Sequence, residues 1–310
     1  MILNYLKNNN SYLLIIFIVF NLLFFTSLYF TDNFQNLNLE YSKYKILLLI
    51  GCFIITTLHS IALNNLIYDK DVIKKPNFVL AFVFILITTP FGLNMKMLIY
   101  SIVMLLFLQC ILKLYKQQFP YSSVFNASII ISFLSFFIPN ILLLYLLIII
   151  SLIIFRNIKW RLIIIPILGI IIPYLFIWTY QIFYSKTLFF PEINFSINSI
   201  ELYNLETSVL IWIGVVALIM LLSILEIFVW MFKKSIRSRE SFSIILFYFF
   251  LTLLLSFFSE NNDIVILLMI PSTIIITNYF VYHKNKKWSS ALFLIFVFSS
   301  IFYRISMINL

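Results

Sequence analysis

Apolar runs of membrane-spanning length recur from one end of the chain to the other. A helix needs about 20 consecutive apolar residues to cross a bilayer, with a range of roughly 17–25. Runs near that length fall at 11–30, 46–66, 78–94, 97–112, 122–138, 141–155, 162–183, 208–232, 242–258, 264–282 and 289–307. They are too long and too continuously apolar for the alternating strands of a membrane barrel. The predicted fold is an all-α polytopic transmembrane helix bundle of about eleven spans, a single integral membrane domain over 1–310. The runs 122–138 and 141–155 are short and meet at Pro139-Asn140. If they form a re-entrant pair, about nine spans remain and the sidedness of everything after them is unchanged.

Composition excludes a water-soluble globule. The 310 residues are 63% hydrophobic and 10% charged, with a mean hydropathy of +1.09, against about 25% charged in a soluble domain. Ile, Phe, Asn, Lys and Tyr are abundant and there are four glycines. This looks like a bias toward AT-rich codons, so the aromatic count says less than usual about function. Cys52 and Cys110 both lie inside apolar runs, so no disulfide framework is expected. The first run follows Lys7 and lacks a small-residue cleavage site, which reads as an uncleaved first helix.

Charge predicts orientation. With the N-terminus inside, the inner segments are 1–10, 67–77, 113–121, 156–161, 233–241 and 283–288. They hold 16 of the 21 Lys and Arg residues, the bias expected of cytoplasmic loops. The outer side holds Lys43, Lys45, Lys96, Lys186 and Arg304, together with Asp32, Glu40, Glu192, Glu201, Glu206, Glu260 and Asp263. The net charge of +10 is then an inner rim that attracts acidic headgroups. It needs no nucleic acid.

Ionisable groups inside apolar runs are costly and come first as candidates. His59 sits in "ITTLHSIALNN", beside Thr56, Ser60 and Asn64, which share one helical face at i, i+4, i+8. This candidate intramembrane polar site reads first as interhelical packing, with a polar pocket or proton relay as the alternative. Glu226 lies two turns before Lys233-Lys234. It reads as a carboxylate that snorkels or pairs with a basic loop, or else as a buried acid. Ser128, Ser132 and Ser135 read as a close-packing stripe. Asp32, Glu260 and Asp263 are candidate outer-face acids, as ordinary loop charge or as base and metal ligand for sugar transfer. The short "SENND" turn favours the structural reading, with Asp263 capping a helix that begins at Ile264. Phosphate-binding, dinucleotide, redox and zinc motifs are absent from the sequence. No metal or other cofactor is expected.

Two stretches resemble known families. The segment 123–176 contains Arg156, Trp160, Gly169, Pro173 and Tyr174. It is similar to an uncharacterised family of Gram-negative polytopic inner-membrane proteins of about this length, and "LMIPSTIIITNYF" followed by "HKNKKW" fits the same family. That resemblance implies a multi-pass location in the bacterial inner membrane and transfers no site. Pro271, and Asp32 in a first outer loop, look like features of multi-spanning glycosyltransferases of lipid-linked sugars. The functional expectation is a non-enzymatic component or carrier in envelope biogenesis. The alternative is a transferase or polymerase acting on polyprenyl-linked sugars at the outer face. The expected partners are the lipid bilayer, with a lipid-linked substrate or other membrane proteins.

Overall fold

The computed structural model describes residues 2–7, 11–26, 42–89, 95–184, 187, 191, 206–259 and 262–306. Every regular element among them is helical. In chain order they are α1 (Ile2–Leu6), α2 (Ser11–Thr26), α3 (Ser42–Asp69), α4 (Val79–Ile87), α5 (Met95–Lys113), α6 (Tyr121–Ser135), α7 (Tyr145–Ile154), α8 (Trp160–Phe183), α9 (Thr207–Met231), α10 (Ile236–Phe257), α11 (Met269–Tyr282) and α12 (Lys286–Ser306). Tight 3-10 segments, Pro139–Leu144 and Asn262–Leu268, precede α7 and α11.

Among the described residues, 7 helical stretches are long and apolar enough to cross a membrane. The run at 78–94 is shorter than expected: α4 has 9 residues, all buried, about half a crossing. The run at 264–282 does not start as an α-helix at Ile264. Pro271 has no N–H to give the Leu267 carbonyl, and regular α-helix begins only at Met269. The long helices leave wide apolar faces open. Ile163, Ile164, Ile167, Leu168, Ile171 and Leu175 of α8 are all exposed. Faces this apolar suit lipid, not water.

The chain forms two compact units. Unit 1 is Met1–Ile99, Ile200–Lys234 and Ser272–Leu310. Here α3 packs on α2 and α4, and α9 pairs with α12. The α12 face is Ser289, Leu292, Phe293, Phe296, Ser299, Ser300 and Tyr303, a helical register whose serines allow close approach. Unit 2 is Tyr100–Ser199 and Ser235–Pro271. Its main seam joins α6 to α8, and α10 packs on α7.

Helix ends carry an unusual signature. Asp71, Lys116 and Arg156 have φ of 54°, 55° and 57°, in the left-handed region that glycine normally fills. At Asp71 the Val72 N–H reaches the Ile67 carbonyl at 3.1 Å and the Asp71 N–H reaches Tyr68 at 2.9 Å. This is the Schellman pattern that closes a helix C-terminus. Arg156 ends α7 in the same way, through Asn157 to Leu152.

Candidate functional site

The intramembrane stripe separates into packing contacts. Thr56, Ser60 and His59 are buried. Thr56 Oγ1 donates to the Cys52 carbonyl at 2.9 Å and accepts from Asn21 Nδ2 of α2 at 3.3 Å. Ser60 donates to the Thr57 carbonyl at 2.8 Å. The His59 ring meets Phe84 of α4 edge-on, with centroids 4.4 Å apart. Asn64 points elsewhere. With Asn65, Tyr68, Asn77 and Phe78 it lines a small cavity of about 70 Å³, enough for a few waters.

The serine stripe lies at the α6–α8 seam of unit 2. Ser132 donates to the Ile170 carbonyl at 2.8 Å, and Ser135 shares a hydrogen bond with the Tyr174 hydroxyl. Gly169 touches Ser128 so closely that a Cβ there would overlap its hydroxyl and lie 3.1 Å from the Phe125 carbonyl. Gly169 lets α8 approach α6, and Tyr174 bonds to Ser135 across the seam. Pro166 and Pro173 inside α8 remove two backbone N–H donors from that helix.

Glu226 has a partner distant in sequence. Its Oε2 lies 2.6 Å from Nδ1 of His283, with both side chains about one-quarter exposed. α9 supplies the carboxylate, and the imidazole follows directly on α11. The His283 ring stacks on Tyr279 at 4.7 Å. Around this pair unit 1 gathers cations from several elements. Lys234, just past α9, sits 3.4 Å from the centre of the Tyr282 ring and 4.3 Å from that of Trp230. Lys75 approaches the same Tyr282 ring at 5.2 Å. Tyr282 Oη accepts from the Lys74 backbone N–H at 3.2 Å, and the Phe78 N–H bonds to the Leu6 carbonyl of α1.

These cations repel one another. Burial, then Lys75 and Lys74, lower the Lys234 pKa to about 8. Lys7 is held below its usual value by burial, Lys75 and Lys286, against the opposing pull of Glu226. Cation–π contacts of this kind are worth roughly 0.5–2 kcal/mol and leave the positive charge in place. The arrangement suits an anion that touches several ammonium groups.

The outer-face acids lie beyond this picture. Asp32 and Glu260 are outside the described residues. Asp263 falls in the 3-10 segment Asn262–Leu268, ahead of α11 and not at its N-cap; its side chain is not described. Among the described residues no three His, Cys, Asp or Glu side chains converge on a metal-sized site. Cys52 and Cys110 are unpaired thiols. Sequence reasoning singled out Glu226 and missed His283. The available signal was the basic turn "HKNKKW", which comes directly after an apolar run.

Long apolar helices with lipid-suited faces and a basic end define a polytopic α-helical membrane protein. The chain belongs to DUF6427, a family of unknown function whose family model matches residues 1–310. No curated protein and no solved structure matches it, and nothing in these comparisons supports the glycosyltransferase resemblance.

Proposed function

We propose that the protein is a non-enzymatic component of the bacterial inner membrane, with about eleven spans and the N-terminus in the cytoplasm, and that it engages acidic lipid headgroups through its basic end. The observation that carries this reading is the convergence of Lys7, Lys74, Lys75, Lys234 and Lys286 around Glu226–His283. These lysines come from four segments that the charge bias assigns to one side, 1–10, 67–77, 233–241 and 283–288. A few basic side chains near a negative surface gain about 1 kcal/mol each. Glu226 brings one negative charge against these five lysines.

The test is the lipid that copurifies. Wild-type protein extracted from mixed bilayers should retain phosphatidylglycerol over phosphatidylethanolamine, and Lys75→Gln/Lys234→Gln should lower the enrichment about thirtyfold, as loss of two such contacts at about 1 kcal/mol each implies. Equal enrichment in both proteins would sink the reading. Sidedness is checked separately with cysteines at Ser235 and Asn285, both exposed. They should resist an impermeant thiol reagent in spheroplasts, and labelling of both would reverse the orientation. Ser238 is unsuitable because it is fully buried.

A further inference from the structure

Arg304 lies near the C-terminal end of α12, about 27 Å along the helix from Lys286 at 1.5 Å per residue. It follows Tyr303 in the packed register of α12 and is 4% exposed. Its guanidinium carbon sits 4.8 Å from the centre of the Phe24 ring of α2. Among the described residues, neither Nε nor Nη1 meets an acceptor.

A second donor lies at the same end. Trp212, in the second turn of α9, is 8% exposed, and its ring centre is 6.1 Å from that of Tyr303. Its Nε1 also meets no acceptor among the described residues. Glu206, just before α9, accepts from Ser208 at 3.3 Å.

A buried, unpaired charge costs several kcal/mol, and each unmade hydrogen bond of a buried donor costs roughly 1–3 kcal/mol. Arg has no acceptor and the indole nitrogen only donates, so the complement must bring several acceptor oxygens and negative charge. The guanidinium edge fits two oxygens of one phosphate. Away from water such bonds are at their strongest. Ile211, Ile301 and Phe302 beside the site are exposed apolar residues, which suits a phosphate carried on a lipid.

We infer that the Arg304–Trp212 end of unit 1 is a binding site for a phosphate group, with Arg304 as its charged anchor and the Trp212 N–H as a second donor. Free phosphate and a lipid headgroup share this chemistry. The test uses the full-length protein in phosphatidylcholine nanodiscs, followed by melting temperature. One arm titrates inorganic phosphate, and the other raises the fraction of phosphatidic acid in the disc. Wild type should be stabilised saturably in at least one arm. A response to phosphate assigns the free ion, and a response to phosphatidic acid alone assigns the headgroup.

Arg304→Lys keeps the charge but loses the fork and should need about tenfold more ligand. Trp212→Phe should need about fivefold more. Arg304→Met should not respond. If that variant does not fold, the other two decide. The variants are compared on the Lys75→Gln/Lys234→Gln background, which removes the headgroup response of the basic end, and Tyr174→Phe in the α6–α8 seam should respond like that parent. A parent protein that does not respond, an undiminished response in the Arg304 and Trp212 variants, or a response lost in Tyr174→Phe would overturn the site.

Discussion

The α6–α8 seam of unit 2 and the basic end of unit 1 handle polar groups in opposite ways. At the seam each serine hydroxyl finds a nearby oxygen: Ser128 with Phe125, Ser132 with Ile170, Ser135 with Tyr174. The polar groups are satisfied within the protein, and what results is close helix packing. At the basic end, Glu226 bonds to His283, and burial together with neighbouring lysines lowers the pKa values of Lys7 and Lys234. A membrane protein gains little from apolar contact between helices in lipid. Satisfied polar contacts therefore mark structure, while the clustered lysines are what the proposed headgroup site rests on.

The largest expected effect breaks the seam. Gly169→Leu should destabilise the protein by about 3 kcal/mol, because the new side chain meets the Phe125 backbone as well as Ser128. Gly214→Leu is the control. A Cβ there meets nothing within 4 Å, so unfolding in detergent should be almost unchanged. Equal losses in the two variants would mean that the seam is not special.

A smaller effect tests the basic end by pH. Lys234 is charged up to about pH 10.5 in the unfolded chain, but its pKa is lowered to about 8 when folded. Between those values the unfolded state binds more protons, so stability should rise with pH across that window. Lys234→Met should flatten the rise, and a slope that survives in this variant would show that other groups produce it.

The smallest effect returns to the seam. Tyr174→Phe removes one interhelical hydrogen bond and should cost about 0.6 kcal/mol, the usual worth of such a bond in a membrane bundle. Ser135→Ala on the Tyr174→Phe background should then add little. A full second loss would show that the two hydroxyls act separately.

Much of the helical pattern could be read from apolar run length. The runs at 97–112, 162–183, 208–232 and 289–307 return as α5, α8, α9 and α12. The serine stripe was readable because i, i+4, i+7 is a local pattern. Glu226–His283 was not, because 57 positions separate the two residues and no periodicity encodes which helix ends meet. Arg304 seemed an ordinary charge near the chain end. Its burial follows from the packing register of α12, which becomes meaningful only once α9 lies against it. The run at 264–282 returns as a helical stretch with those bounds, but hydropathy does not register the missing N–H of Pro271 or the 3-10 winding of the residues before Met269.

The left-handed helix ends have a consequence at the level of the gene. Glycine codons begin with two guanines, so an AT-rich coding sequence supplies few glycines, and Asp71, Lys116 and Arg156 hold turns that glycine would close with less strain. Each non-glycine residue there costs roughly 1 kcal/mol in backbone energy, part of which glycine would return as greater freedom of the unfolded chain. These three turns are where substitution by glycine could return stability to the fold at positions that neither candidate site uses.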